Sequence, residues 1–289
     1  MPIDAAVALG ATIEPFTSAW DADDVILYHL GVGAGLGPGK ATDPAELAYT
    51  YEQRLVVLPS FAVVPAFPGL VQAVTGQVPG LAVNPVMILH GEQDLELHKP
   101  IPTSGTAEHR ARVASLYDKG KAALATIEVE SGPAGDPLFT NRFTLFARGE
   151  GGFGGDPNSP APGHQPPDRA PDAVAESPTM PHQALIYRLS GDKNPLHADP
   201  DFAKLGGFDT PILHGLCTYG IACKAVVDTL LDGDVAAVSR YQVRFTGVVF
   251  PGETVVTSMW REPDGRIVLQ ATTKERGQPV LSNAALWTR

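Results

Sequence analysis

The chain of 289 residues has little cysteine, no excess of basic charge and no long apolar run. Its two cysteines, Cys217 and Cys223, are six residues apart in a predicted helix, which is too far for a CxxC redox pair. No further cysteine is present to complete a zinc site, so we interpret both as small buried residues. No apolar stretch approaches the roughly 20 residues that cross a bilayer, and membrane insertion is not expected.

Basic residues are outnumbered, since 21 Lys and Arg against 32 Asp and Glu give a formal net charge of -11. Nucleic acid binding requires a basic face, which this balance does not suggest. An anionic ligand would need a local basic patch. The candidates for such a patch are Lys119, Lys121, Lys193 and Arg244, although each alone is more often a solvated surface charge.

Neither end of the chain carries a recognisable targeting signal. Met1 to Glu14 lacks the basic flank and apolar core of a secretory signal, and the C-terminal sequence LWTR is no peroxisomal address. We therefore expect a bacterial-type cytoplasmic location. A composition of 44% hydrophobic and 18% charged residues is typical of soluble globular proteins, and the length favours two domains of ordinary size.

The stretch from Gly149 to Pro181 is too rich in glycine and proline for a persistent helix or central strand. We interpret it as a linker or a long covering loop. The predicted organisation is an N-terminal repeat at residues 1–148, a linker at 149–181 and a C-terminal repeat at 182–289.

The two sides of this linker resemble each other. DVILYHLGVGAG (24–35) and QALIYRLSGDKN (183–194) are both apolar helices with Tyr-x-Leu that run into glycine, as suits a helix C-terminus in the left-handed conformation. LHKPIPTSG (97–105) and VVFPGETV (248–255) both precede alternating, strand-like segments. An internal repeat with a period of about 150 residues explains both pairs.

Each side also contains signals for a sheet. In the second half, ILHGLCTYGIACKAVVDTLL predicts a long, mostly buried helix, followed by the β-rich segments VSRYQVRF, ETVVTSMW, RIVLQATT and PVLSNAALW. RARVASLY, AALATIEV and LFTNRFTLFAR give the same signal in the first half. A helix wrapped by an antiparallel sheet is the hot-dog fold, so we predict an α+β double hot-dog.

The central helix of the first half is predicted to be impaired. SFAVVPAFPGLVQAV contains Pro65 and Pro68, and an interior proline removes a backbone hydrogen bond and clashes with the preceding turn. A shortened helix would leave a gap in the concave face of the sheet. Such a gap could hold an acyl chain.

The segment YRLSGDKNPLHADPDFA carries the strongest chemical signal. Gly191 and Pro195 impose a non-helical path between two short helices, so Asp192 and His197 can converge. With Asn194 they supply an acceptor, an amide and a titratable imidazole, which suit holding and deprotonating a water molecule. From this segment alone, the alternative that Asp192 caps a turn and His197 satisfies the backbone stays open.

The segment PILHG precedes the predicted long helix. Backbone N–H groups at such a start lack intrahelical partners and lie at the positive end of the helix dipole, so they can hold a developing oxyanion. Gly215 would let a carbonyl approach closely. Alone this is a weak signal, but with Asp192 and His197 it completes the requirements for adding water to a conjugated thioester.

YRLSGDKNPLHADPDFA with PILHGLCTYG closely resembles the hydratase 2 motif of MaoC-like dehydratases, in particular the hydratase domain of peroxisomal multifunctional enzymes. LYHLGVGAG, ILHGEQDLELHKPIP, DKGKAA, ARGEGGFGG and FPGETVVTSMW extend the resemblance over nearly the whole chain. It implies a double hot-dog fold with catalysis in the C-terminal repeat and room for a long or bulky acyl chain in the N-terminal repeat. The implied reaction is reversible syn addition of water to a trans-2-enoyl-CoA, giving a (3R)-hydroxyacyl-CoA in fatty acid or sterol side-chain β-oxidation.

The resemblance also implies roles for eight residues. Asp192 and His197 match the catalytic pair, Asn194 the active-site asparagine and Gly215 the oxyanion glycine, while His90, Gly91, Lys119 and Phe245 match positions that contact the substrate thioester. Lys193 is a variable position of the motif and receives no role.

The first repeat lacks the catalytic pair. An ungapped match of the two repeats places Gly33 opposite Asp192 and Pro38 opposite His197, so the N-terminal repeat is not expected to hydrate anything. Which member of the Asp192 and His197 pair is the base is not fixed by the sequence, because a close pair titrates as a unit.

Two other readings of the function remain open. A hot-dog thioesterase would also need an acid, a water and an oxyanion site, and a MaoC-like subunit could bind acyl thioesters without catalysis. No separate cofactor is expected, and a homodimer is expected from the resemblance. Acyl length and pathway stay open.

Two further binding sites are not expected. GVGAGL at 31–36 lacks the third glycine of a dinucleotide site and follows a helix, so NAD binding is not expected. Asp192, His197 and His214 have no HxxxH-type spacing, and no metal is expected.

Overall fold

The computed structural model describes residues 3–160 and 163–289. The α-helices are α1 (Ala5–Ala8), α2 (Ala22–Gly31), α3 (Pro44–Thr50), α4 (Val63–Gln72), α5 (Gln183–Tyr187), α6 (Pro200–Leu205) and α7 (Gly215–Leu230). The strands are β1 (Phe16–Trp20), β2 (Ile88–Leu97), β3 (Gly105–Asp118), β4 (Ala122–Ser131), β5 (Phe139–Arg148), β6 (Ala173–Pro178), β7 (Val238–Phe245), β8 (Thr254–Arg261), β9 (Arg266–Thr273) and β10 (Pro279–Thr288).

The ten strands form one sheet in the order β1-β3-β4-β5-β2-β7-β10-β9-β8-β6. The order is symmetric about its centre, because β1, β3, β4, β5 and β2 of the first half correspond to β6, β8, β9, β10 and β7 of the second. The halves join where β2 pairs antiparallel with β7, with Glu92 opposite Arg244 and Leu95 opposite Tyr241. The double hot-dog architecture predicted from the internal repeat is confirmed.

All seven segments predicted as strands are strands, namely β3, β4, β5 and β7 to β10. The sequence does not predict β6, which lies inside the Gly/Pro-rich segment 149–181. β6 is the last strand of the sheet and pairs with β8, so Pro178 at its end removes no hydrogen bond from a central ladder. The segment therefore contributes one edge strand as well as covering loop, and the division of the chain at this segment stays a prediction.

The two central helices differ in length and regularity. α7 has 16 residues, with every position from Leu216 to Val227 buried, and it packs on β6, β7 and β8. α4 has ten residues with Pro68 inside it and continues into a π-helical turn, Ala73–Gln77, where Gly76 has φ 86°. α4 packs on β1, β3, β4 and β5. The predicted shortening of the first central helix is confirmed.

Helix α2 of the first half is fastened to α5 and α7 of the second. Gln183 Nε2 donates to the Gly31 carbonyl at 2.6 Å, and Cys217 Sγ donates to the same carbonyl at 3.3 Å. These bonds satisfy a carbonyl that a helix end leaves without an intrahelical partner. Gly220 lets α2 approach, since a Cβ there would lie 2.6 Å from Tyr28 Oη. Both cysteines are buried, as predicted.

Two buried histidines stabilise the N-terminal half in their neutral form. His29 donates from Nδ1 to the Tyr49 carbonyl at 2.8 Å and accepts the Leu58 N–H at Nε2. His109 lies between the hydroxyls of Ser18 and Ser131, 2.7 and 2.8 Å from its two ring nitrogens. Burial lowers the pKa of each imidazole to about 4.

Across the described ranges, no helix has both the length and the apolar character needed to cross a membrane.

We predict that the free energy of unfolding falls on acidification. Between pH 6.5 and about 4 the unfolded chain binds protons at these histidines that the folded chain does not, so their contribution is present above pH 6.5 and lost as the pH falls. From pH 7 to 5 the loss is about 2 kcal/mol for each histidine. Urea unfolding at both pH values measures this loss. In His109→Phe the decrease in the free energy of unfolding from pH 7 to 5 should be smaller than in the wild type by about that amount.

His182→Phe is the matched control, because the side chain of His182 is exposed and its replacement should leave the pH dependence as it is. An unchanged pH dependence in His109→Phe would count against a buried neutral imidazole at this position.

Candidate active site

A cavity of about 1150 Å³ lies between the C-terminal part of α4, the beginning of β2 and the beginning of α7. Its wall is largely apolar. All eight residues that the sequence analysis singles out border it: His90, Gly91, Lys119, Asp192, Asn194, His197, Gly215 and Phe245. Residues from both repeats therefore meet at one concave surface, as ligand sites between structural units commonly do.

The segment between α5 and α6 follows the path predicted from its glycine and proline. A 3-10 turn ends at Ser190, Gly191 follows with φ 124°, and a second 3-10 turn spans Pro195–His197. Asp192 Oδ1 accepts the Asn194 N–H at 3.1 Å, and Asn194 Oδ1 accepts the Leu196 N–H at 3.0 Å as an N-cap. Short local bonds thus fix the loop that carries the acidic group.

Asp192 and His197 lie close together at the border of the cavity. His197 is buried and donates from Nδ1 to the Ile212 carbonyl at 2.9 Å. Because a carbonyl only accepts, Nδ1 carries the hydrogen and Nε2 keeps its lone pair. A ring nitrogen of His197 and a carboxylate oxygen of Asp192 lie within 4.8 Å of each other.

The contacts of the alternative interpretation of these two residues are present in the structure. Asp192 does cap a turn and His197 does satisfy a backbone carbonyl, but each contact uses one atom of the side chain. Asp192 Oδ2 and His197 Nε2 have no hydrogen-bond partner among residues 3–160 and 163–289, and both side chains border the cavity. A capping role and a chemical role are compatible here.

The environment of His197 favours its neutral form. Burial lowers its pKa, the Asp192 carboxylate and the bond to Ile212 partly offset this, and Arg188 lowers it further. A neutral imidazole with an open Nε2 can accept a proton from a bound water.

His214 lies directly against this pair. Its ring stacks on that of His197 with centroids 3.7 Å apart and planes at 29°. Nε2 of His214 donates to the Asp192 carbonyl at 3.2 Å. Burial and the neighbouring His197 hold the pKa of His214 well below 6.5. The sequence analysis gives this residue no role.

The opposite part of the site is formed by Gly215 and two aromatic rings. Gly215 is the first residue of α7, and its N–H has no hydrogen-bond partner in the described part of the chain. A Cβ at Gly215 would lie 3.3 Å from the Phe245 ring, so a larger residue at position 215 would have to displace that ring. His90 lies 4.8 Å from Phe245, next to a bulge at Gly91, and burial lowers the pKa of His90 to about 4.

Three of the four predicted basic residues border the cavity, and they differ in their partners. Arg244 pairs with Glu92 at 2.6 Å, and Lys119 Nζ donates to the Pro157 carbonyl. Lys193 is exposed, and no acidic partner for it is found within the described residues. Lys121, the fourth, does not border the cavity.

The loop beside Lys119 is fixed by one carboxylate. Asp118 accepts the backbone N–H groups of Gly152 and Gly154 at 2.9 and 2.8 Å, which lowers its pKa. This bonding brings the loop to the cavity, where Ser159 borders it. The sequence analysis misses Ser159, because nothing in a Gly/Pro-rich segment indicates which residue turns inward.

The sequence analysis also does not identify the residues that form the apolar wall of the cavity. This wall includes Phe67, Leu70, Val71 and Val74 of α4 and its π-helical turn, with Leu124 and Leu145 of the sheet. Their spacing in the sequence indicates a buried helix face or strand face. It does not show whether that face packs in the core or lines a cavity, since both give the same apolar pattern.

Asp192, His197 and His214 are close enough together to be considered as metal ligands. However, the lone pairs of an imidazole lie in its plane, and two rings stacked face to face direct them side by side and not at one ion. Their geometry does not suit a chelate, and the absence of a metal from the reaction stays a prediction.

Known proteins resemble both halves of the chain. Residues 18–149 match the family described as MFE-2 hydratase 2 N-terminal domain, and residues 163–284 match the MaoC like domain. Enoyl-CoA hydratase ChsH3 of Mycobacterium tuberculosis is 47% identical over 92% of this chain and 91% of its own length.

Solved structures also resemble this chain. A MaoC-like dehydratase from Phytophthora capsici is 35% identical, with a TM-score of 0.87 and 99% of both chains covered. A conserved hypothetical protein of Mycobacterium tuberculosis with a double hotdog fold is 13% identical, with a TM-score of 0.57 over 100% of this chain and 98% of its own. At that identity the second protein supports the fold alone.

We predict that Asp192→Asn moves the NMR titration midpoint of His197 to lower pH. The Asp192 carboxylate raises the pKa of His197 against the effect of burial, and the amide removes that charge. The His197→Gln variant assigns the signal. Asp199→Asn, which changes an exposed carboxylate at the start of α6, should leave the midpoint in place. A midpoint that stays unchanged in Asp192→Asn would mean that the two side chains do not face each other.

Proposed function

The chain belongs to the MaoC-like hydratase 2 family, and from this premise we propose that it is an (R)-specific hydratase of 2-enoyl-CoA thioesters. It adds water across the conjugated double bond and, in reverse, dehydrates 3-hydroxyacyl-CoA. The observation that carries the proposal is that Asp192 and His197 each keep one unbonded atom at the cavity, near a helix start with a free N–H.

Asp192 and His197 hold the attacking water between them. The water oxygen bonds to the β-carbon while one of its protons passes to the pair, and the electrons of the double bond move toward the thioester carbonyl. The pair then returns a proton to the α-carbon, which balances the addition. Syn addition is expected, because water and proton come from the same side, and the (3R) configuration of the product is what the family resemblance implies. Asn194 completes the polar side of the site.

Gly215 steadies the enolate that forms between these two steps. Its N–H lies at the positive end of the 16-residue helix α7 and lacks an intrahelical partner. A donor placed in this way is complementary to the charge that develops on the thioester oxygen. His90 and Phe245 pack beside it and exclude water from the reacting carbonyl, with Gly91 giving the thioester room.

The CoA moiety is expected at the polar end of the cavity. Lys119 and Lys193 border the cavity without an acidic partner in the described chain, so they can receive phosphate charge that the net -11 of the chain would repel elsewhere. The acyl chain then extends along the apolar wall of α4.

The cavity volume of about 1150 Å³ favours medium, long or bulky acyl groups, including sterol side chains. The shortened α4 supports this, since a full helix would occupy part of the space. The catalytic chemistry then belongs to the C-terminal repeat and the acyl space to the N-terminal repeat.

Two further expectations follow from the family resemblance. No cofactor besides the CoA of the substrate is needed. A homodimer is expected, and β1 and β6 are the sheet edges in the described structure at which copies could pair. A cytoplasmic location stays a prediction.

We predict that Asp192→Asn and His197→Gln lower the hydration rate of decenoyl-CoA by about a hundred- to ten-thousandfold, the usual contribution of general acid-base catalysis. Loss of the conjugated absorbance measures the rate, and circular dichroism checks that both variants are folded. Near-normal hydration by either folded variant would contradict the mechanism.

The same assay separates the competing functions. Release of free thiol would indicate a thioesterase, because hydration leaves the thioester bond intact, and binding of enoyl-CoA with neither thiol release nor loss of the conjugated absorbance would indicate a non-catalytic subunit.

We predict that Val74→Phe distinguishes acyl lengths. The added ring fills the apolar wall beside α4, so kcat/KM for decenoyl-CoA should fall at least about tenfold while that for crotonyl-CoA stays near its starting value. Val7→Phe, an equal change at an exposed site outside the cavity, is the control. A wild-type preference confined to four-carbon substrates would contradict the proposed acyl space.

A further inference from the structure

His214 is a buried histidine of the site that the proposed mechanism does not use. Its side chain is 1% exposed, and it is not among the described residues that border the cavity. A direct contact with a ligand in the cavity is therefore not expected. Its contacts are with the two residues that do the proposed chemistry.

The two histidines bond to each other's segments. His197 donates to the carbonyl of Ile212, two residues before His214, at 2.9 Å. His214 donates to the carbonyl of Asp192, five residues before His197, at 3.2 Å. Their rings stack between these bonds with centroids 3.7 Å apart. The loop that carries Asp192 is thereby tied to the start of α7 on both sides of the stack.

Fold stability alone does not explain a histidine at this position. Nδ1 of His214 is buried and has no hydrogen-bond partner among the described residues, which is an unfavourable state for a polar atom. A phenylalanine ring would keep the contacts with His197 and with Tyr187, whose ring centroid is 4.9 Å away, without that unmet acceptor. What phenylalanine cannot supply is the N–H that holds the Asp192 carbonyl.

We infer that His214 is a positioning residue of the reaction, which fixes the backbone of Asp192 and the ring plane of His197 relative to each other. The inference rests on the proposed hydratase function. When His214 holds both residues in place, the Asp192 carboxylate and the His197 imidazole contact the same water molecule. A small displacement of either side chain would remove it from that water.

The inference about His214 can be tested through the titration of His197, because the pKa of this imidazole depends on the groups that face it. They are Asp192, Arg188 and His214, together with the Ile212 carbonyl. Of these, the Asp192 carboxylate raises the pKa of His197, so a loop that drifts away lowers it. His214 itself stays neutral because burial holds its pKa well below 6.5, and it does not oppose protonation of His197 during the reaction.

The test compares His214→Phe with His214→Gln. In His214→Phe we expect kcat for decenoyl-CoA to fall at least about tenfold with KM changed less than about threefold, because the lost interaction acts on the chemical step. The NMR midpoint of His197 and the acid limb of the kcat/KM profile should both move to lower pH. His214→Gln places an N–H at a reach similar to Nε2, so it should recover part of both effects.

His109→Phe is the matched control, since it removes another buried, hydrogen-bonded imidazole far along the chain in the other repeat. It should leave kcat and the His197 midpoint unchanged. A His214→Phe enzyme with wild-type kcat and midpoint would overturn the inference and leave the hydratase function intact, as would a folded His214→Phe enzyme whose kcat falls with no shift of the midpoint. A wild-type chain that does not hydrate enoyl-CoA would overturn the proposed function and the inference with it.

Discussion

The structure of the site depends on a reciprocal pair of hydrogen bonds between two histidines and two carbonyls. His197 holds the Ile212 carbonyl and His214 holds the Asp192 carbonyl, with the two rings stacked between them. One short loop and the start of one buried helix are thereby locked to each other. Because each bond fixes which ring nitrogen carries hydrogen, the same contacts that hold the backbone leave His197 Nε2 with a lone pair and with no hydrogen-bond partner among the described residues.

Duplication explains why such a site can have a large cavity beside it. Each half of the sheet wraps one helix, and the halves are fastened through β2 with β7 and through the end of α2. Of these two central helices, α7 is long and regular, and α4 is cut short by Pro68 and its π-helical turn. The regular helix gives a rigid start at Gly215, and the irregular one gives space. In a single hot-dog unit, one central helix would have to provide both the rigid helix start and the open space beside the sheet.

Much of the fold follows from local sequence signals. Alternating segments identify seven of the ten strands, and Pro65 and Pro68 indicate the weak helix. β6 escapes prediction because its strand character comes from pairing with β8 at an edge and not from its own composition. The site is predictable where chemistry is concentrated, in the segment from Gly191 to His197. His214 is not, because its role comes from a stacking partner 17 residues away in sequence.

An acidic chain can serve an anionic substrate if its cations are distributed unevenly. Most arginines of the described structure are committed to acidic partners, such as Arg240 with Asp94 and Arg244 with Glu92. Lys119 and Lys193 border the cavity without an acidic partner among the described residues, and Asp118 directs its charge to backbone N–H groups and not to Lys119. The carboxylate beside the lysine thus orders the neighbouring loop without forming an ion pair with it. Two unpaired cations at one cavity can attract phosphate groups although the net charge of the chain is negative, as a site for a phosphate-bearing thioester requires.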